Sequence, residues 1–141
     1  MIENSFDKCL YFTVSKLSRA ITKMAEEEFA ETGLSPTYGF LLMTVIERPG
    51  ISQNLICEVL HIAPSTLTRF IDKLEGKGLV VRKSEGKNSF IYSTEKGIEF
   101  QESIEKARAN LYNRYSEILG YEEADKLAKI VNDAFNRLEK K

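Results

Sequence analysis

The 141-residue sequence predicts a mainly α protein with one small β-hairpin set between its helices. Three observations carry this reading. Apolar residues recur at helical spacing through most of the chain, the period of a helix with one buried face. That period gives way to short apolar stretches only over Leu79–Lys83 and Ser89–Ser93, which read as two strands around the glycine-containing stretch Ser84–Asn88. The glycines and prolines, 8 and 3 in all, stand mostly at the joints between these runs.

The first helix carries Phe6, Leu10, Thr13, Leu17, Ala20 and Met24 on one stripe, widened by Val14 and Ile21. No glycine or proline interrupts Ser5 to Glu31, and Thr32-Gly33 ends the run. Ser35-Pro36 opens the second helix, with Ser35 as cap and Pro36 at the first helical position. Its body, Tyr38 to Ile46, is apolar nearly all round, so it is expected to be buried until Pro49-Gly50 stops it. Ile51 reads as an extended link. Ser52 caps a third helix with Leu55, Ile56, Val59 and Leu60 inward, and His61-Ile62 makes a turn. The fourth helix opens at Ala63-Pro64, turns Leu67, Phe70, Ile71 and Leu74 inward, and ends at Gly76 and Gly78. After the hairpin, Thr94 caps a fifth helix running through Ile98, Ile104, Ala107, Leu111, Tyr115 and Ile118 to Leu119. Gly120 breaks it. A sixth helix from about Glu122 carries Leu127, Ile130, Val131, Phe135 and Leu138 on one face.

Composition narrows the classes. Hydrophobic residues at 43% and charged residues at 29% are ordinary for a folded chain. No apolar run approaches the roughly 20 residues of a membrane span. Met1–Ser5 has neither a basic region nor an apolar stretch, so a cytoplasmic protein without a secretion leader is expected. Two unpaired-looking cysteines, Cys9 and Cys57, and the single His61 are too few for a structural zinc built on Cys and His. No phosphate loop, dinucleotide fingerprint, zinc-protease or nucleophile-elbow motif is present, so no catalytic residue, metal or cofactor is assigned and an enzyme is not expected. The net charge is −1, yet its distribution is uneven: residues 1–35 carry −2, residues 61–96 carry +3, and residues 98–141 carry −1. A basic centre between acidic ends suits a DNA-reading module held between non-reading arms. Chance unevenness would look the same.

Two short helices joined by a tight turn and followed by a hairpin form the order of a winged helix-turn-helix. In that arrangement the second helix of the pair enters the major groove with its N-terminal side chains at base edges. Its outward residues suit the task. Ser65, Thr66 and Thr68 offer hydroxyls, and Arg69 can grip a guanine in bidentate fashion or neutralise a phosphate. Lys73, Arg82, Lys83 and Lys87 lie where backbone contacts are needed. Any solvated helix face has a similar composition, so the order of elements carries the inference.

The stretch from Leu67 to Arg82, which includes Thr68-Arg69, Asp72, Leu74-Glu75 and Gly78-Leu79, resembles the reading helix and first wing strand of the MarR-type transcriptional regulators. Thr94-Glu95-Lys96-Gly97 is similar to the opening of their post-wing helix, and Ser35-Pro36-Thr37-Tyr38 to the start of their second helix. The resemblance implies a homodimer built from terminal helices, with residues 1–33 and 98–141 as dimerisation arms and 34–97 as the DNA-binding region. It implies a repressor of a pseudo-palindromic double-stranded operator, released by a small aromatic or phenolic ligand or by an oxidant. Ser65, Thr66, Thr68 and Arg69 would then approach bases and the wing cations the backbone, while Asp72 and Glu75 would orient neighbouring basic side chains. The wing departs from the family pattern. Where Asp-x-Arg is usual near the tip, this chain reads Gly86-Lys87-Asn88-Ser89, and Lys87 is the basic residue left there. Ala63 stands where a capping Ser or Thr is expected. A winged-helix protein-interaction module without specific DNA binding is the alternative, favoured by the near-neutral charge and the curtailed wing.

The remaining residues read two ways. Cys9 lies near the position of the reactive cysteine in the hydroperoxide-sensing branch of that family, with Lys8 and Tyr11 beside it; the other reading is a buried apolar cysteine. Cys57 reads as core. His61 is a turn or packing residue, or else touches a phosphate or lines a ligand pocket. Tyr11, Tyr38 and Tyr92 are candidates for an aromatic ligand pocket between the arms and the wing domain, and also for core or interface.

Overall fold

The computed structural model describes residues 5–140. The reading of Met1–Ser5 as lacking a leader falls, for positions 1–4, outside the described residues, as does position 141. The elements run α1 (Leu10–Phe29), a 3-10 turn (Ala30–Thr32), α2 (Pro36–Glu47), β1 (Ile51–Ser52), α3 (Gln53–Leu60), α4 (Pro64–Gly76), β2 (Val80–Glu85), β3 (Asn88–Ser93), α5 (Glu95–Ile98), α6 (Gln101–Leu119) and α7 (Tyr121–Leu138).

One apolar core holds the helix pair to the sheet. Leu41, Leu42 and Val45 of α2, Ile56 of α3, Leu67, Ile71 and Leu74 of α4, Ile91 of β3 and Ile104 of α6 are fully buried in it. Full burial of one such side chain stabilises by about 1.5–3 kcal/mol. The post-wing element meets the turn after α4 and the sheet at Gly97, whose α-carbon faces the Leu79 carbonyl and the Ser93 hydroxyl.

Several elements differ from the sequence reading. The helix α1 begins at Leu10, because the chain from Phe6 to Cys9 forms a turn closed by Cys9 N donating to the Phe6 carbonyl. Ile51 is not a plain link. It pairs with Ile91 and Ser52 with Phe90, so the hairpin becomes a three-stranded antiparallel sheet of order β1-β3-β2. The five-residue stretch Ser84–Asn88 is mostly strand, since Glu85 faces Asn88 and leaves Gly86-Lys87 as the turn. Gly86 has φ 61°, which suits glycine at the first position of such a turn. The long helix after the wing is split into α5 and α6 by a turn at Glu99-Phe100. Leu55 and Val59 of α3 point outward, while Ile56 is fully buried and Cys57 and Leu60 pack partly against the core.

The caps divide similarly. Ser52 Oγ accepts from Leu55 N and Thr94 Oγ1 accepts from Gly97 N, as their positions predict. Ser35 makes no such bond, and Pro36 alone marks that helix start. Ala63 has extended backbone (φ −63°, ψ 144°) and no side chain to cap α4. Ala63→Ser is therefore expected to raise stability by about 1 kcal/mol, read as a higher denaturant midpoint at unchanged slope.

The terminal helices are only half satisfied. Arg114 of α6 donates to Glu27 and Glu28 of α1 at 2.9 and 3.1 Å, tying the two helices together. Yet Leu10 is 63% exposed, Ile118 73%, Ile130 65% and Leu138 75%. The stripes on these helices thus stay partly open in a single chain. No helix of the described residues is long and apolar enough to cross a membrane.

Candidate nucleic-acid interface

Helix α4 is pinned by Leu67, Ile71 and Leu74, which turns Ser65, Thr68, Arg69, Asp72 and Lys73 to solvent and leaves Thr66 half-buried. Arg69 has no hydrogen bond or ion pair among the described residues. Its five donors are free to meet a planar acceptor. The Lys73 ammonium lies 5.6 Å above the Tyr38 ring, which itself packs at 4.9 Å on Phe70. Thr68 is engaged: its hydroxyl donates to the Pro64 carbonyl at 3.0 Å and accepts from Gln53 Nε2 at 2.9 Å.

The wing is fastened to this helix. Arg82 Nη2 donates to Asp72 Oδ1 at 2.7 Å, and Arg82 N donates to Glu75 Oε2 at 3.2 Å. Both carboxylates of α4 therefore hold the first wing strand rather than facing outward alone, and Arg82 is half-buried between them. On β2, the Lys83 ammonium stands 4.8 Å over the Tyr92 ring. At the tip Lys87 is exposed. Beside it opens a polar cleft of about 140 Å³, walled by Ser52, Gln53 and Asn54 of the β1-α3 junction, Pro64, and Lys87-Asn88 of the wing. The sequence reading passed over Gln53 and Asn54. No local pattern marks them, because Gln53 meets Thr68 from 15 residues away.

The three tyrosines proposed for a ligand pocket are not brought together. Tyr11 is 83% exposed on α1, Tyr38 is stacked on Phe70, and Tyr92 packs against Gly50. A different apolar cavity of about 540 Å³ lies between the arms and the helix-turn-helix. Leu17 and Ile21 of α1, Tyr115 of α6, and Leu127, Val131 and Phe135 of α7 line it, with His61 at its edge. His61 occupies the turn between α3 and α4 with left-handed backbone (φ 54°, ψ 48°), and its ring meets Phe135 edge-on at 4.8 Å. The turn before the exposed helix thus touches the C-terminal arm directly.

Cys9 is exposed at the start of α1 and not buried, because the turn before it leaves it outside the core. Cys57 is half-buried against the core, and burial pushes its thiol pKa up. Among the described residues no cluster of His, Cys, Asp and Glu is placed to hold a metal ion.

A helix pair whose second member lies exposed beside an antiparallel wing is a winged helix-turn-helix protein. Residues 34–88 match the model of the MarR family, a span from the start of α2 to the wing tip. Among curated relatives, the HTH-type transcriptional regulator SarZ of Staphylococcus epidermidis is 28% identical over 82% of this chain and 80% of its own length. The uncharacterized HTH-type transcriptional regulator YybA of Bacillus subtilis is 29% identical over 60% of this chain, and the match spans 58% of YybA. Among solved structures, CouR from Rhodococcus jostii RHA1 bound to p-coumaroyl-CoA has 22% identity and a TM-score of 0.77, covering 94% of this chain and 93% of that one. The repressor CouR bound to a 23-mer DNA duplex has 22% identity and a TM-score of 0.84, covering 92% and 94%. At that identity the likeness is one of fold.

Proposed function

We propose that this chain is a homodimeric, sequence-specific DNA-binding transcriptional regulator that represses from a pseudo-palindromic operator. The observation that carries the reading is the free, exposed Arg69 on a helix locked to the core by three buried side chains and to the wing by Asp72–Arg82. A reading helix must be rigid and its specific side chain uncommitted. Ser65, Thr66 and Arg69 approach bases, Lys73, Lys83 and Lys87 the backbone, and Arg82 sets the wing against the helix. The open stripes of α1, α6 and α7, in the segments 1–33 and 98–141, pair with those of a second copy. Two reading helices then face half-sites about one helical turn apart. The DNA-binding reading carries a cytoplasmic location with it.

Release by a small aromatic ligand fits the cavity of about 540 Å³, which lies within the usual range for small-molecule sites. A ligand there touches both the C-terminal arm and His61 in the turn before α4, so its binding energy can bias the reading-head geometry. That CouR was solved both on DNA and with p-coumaroyl-CoA supports the pairing of the two activities. An oxidant would act at exposed Cys9, and Cys9→Ser is then expected to abolish peroxide-triggered release while leaving binding in reducing buffer unchanged.

The experiment is selection of duplexes from a random library by the purified protein, followed by fluorescence anisotropy across a salt series. Enrichment of a two-fold motif with a steep salt slope is expected. A library that stays random after repeated rounds overturns the reading in favour of a protein-interaction module.

A further inference from the structure

We propose that the cleft between the helix pair and the wing seats a single DNA backbone phosphate, and that Gln53 both contacts that phosphate and is itself positioned by Thr68. The proposal rests on the DNA-binding reading and adds to it a site on α3.

Thr68 has one hydroxyl hydrogen, and it is given to the Pro64 carbonyl at 3.0 Å. The hydroxyl therefore has no hydrogen left for a base, and one of its acceptor positions is taken by Gln53 Nε2 at 2.9 Å. Of its side chain only the methyl group and one lone pair remain to read with. The bond fixes the Gln53 amide instead. That amide keeps a second N–H and a carbonyl oxygen beyond the one bond to Thr68. Gln53 is half-buried and lines the cleft together with Ser52, Asn54, Pro64, Lys87 and Asn88.

The lining selects the ligand. Three carboxamides and an ammonium supply donors, and no acidic side chain lines the cleft. Lys87 has no ion-pair partner among the described residues. About 140 Å³ is room for a tetrahedral anion. The cleft lies beside the first turn of α4 and at the wing tip, the two parts that would straddle a DNA strand. A backbone phosphate between the groove read by α4 and the groove met by the wing is the anion that this position would encounter.

The test pairs DNA chemistry with protein variants. Each phosphate of a duplex selected by the wild-type protein is replaced in turn by an uncharged methylphosphonate. Anisotropy is then measured for wild type and for a Gln53→Ala, Lys87→Ala double variant whose melting temperature is checked. In the wild type, neutralising one phosphate per half-site is expected to weaken binding about tenfold. In the double variant that same substitution is expected to cost nothing further, while losses at other phosphates persist. Thr68→Val is expected to lose part of the effect at that phosphate alone, and Thr68→Ser to restore it, since serine keeps the hydroxyl that anchors Gln53. Identical phosphate profiles for wild type and double variant would overturn the proposal and leave the DNA-binding reading intact. Failure of the wild type to select any duplex overturns both.

Discussion

Arg69→Ala is expected to weaken operator binding by about 1–3 kcal/mol for each reading helix, with the loss concentrated at one position of each half-site. The side chain is exposed and uncommitted, so the change removes no internal contact and the fold should melt as before. Sedimentation should report the same oligomer, because α4 is not an arm. Arg69→Lys separates the two ways arginine can act. Lysine keeps a positive charge but loses the planar fork. If Arg69 reads a guanine, lysine should relax specificity nearly as far as alanine does. If it only neutralises a phosphate, lysine should retain most of the affinity and the salt slope, whereas alanine lowers that slope by about one for each reading helix. Affinity unchanged in both variants would remove Arg69 from the interface.

The second large effect concerns stability. Gly97→Ala is expected to destabilise the protein by about 3 kcal/mol, a drop of about 10 °C in melting temperature. A methyl at this position would collide with the Leu79 carbonyl oxygen and the Ser93 hydroxyl. The carbonyl is part of the backbone and already accepts from Thr94 N at 3.1 Å, so it cannot move aside cheaply. Thr94 reinforces the joint, accepting from Gly97 N and donating to the Gly78 carbonyl at 2.7 Å. Gly76→Ala makes the control, since nothing lies within 4 Å of its added methyl. A Gly97→Ala protein that melts with the wild type would show that the joint between wing and α5 is loose.

The pairing of Thr94 with Gly97 also shows how far sequence reasoning reaches. The threonine cap follows from its place before a helical run, and the structure has that bond. The need for glycine does not follow, because the obstacle is Leu79, on the other side of the hairpin. Similarly, the apolar period of α4 predicts that Leu67, Phe70, Ile71 and Leu74 face inward; three are fully buried and Phe70 packs partly against the core. Ile51 was legible as extended but not as paired, because its partner Ile91 lies forty residues on. The same limit explains Leu55 and Val59: an eight-residue helix has apolar residues on more than one side, and which side meets the core is set by its neighbours.

By itself the sequence determined the element order, the helix starts at Ser52 and Thr94, the buried face of α4, the two main strands and the exposed polar helix between turn and wing. Each of these rests on residues within a few positions of one another, whose hydrogen bonds and side-chain period are local. The tertiary structure alone decided that Gln53 holds Thr68, that Asp72 and Glu75 hold Arg82, that His61 meets Phe135, and that an apolar cavity is lined by α1, α6 and α7 rather than by Tyr11, Tyr38 and Tyr92. These contacts join separate elements. Their partners are chosen by how helices and strands pack, and packing depends on the summed burial of the whole core rather than on any local pattern.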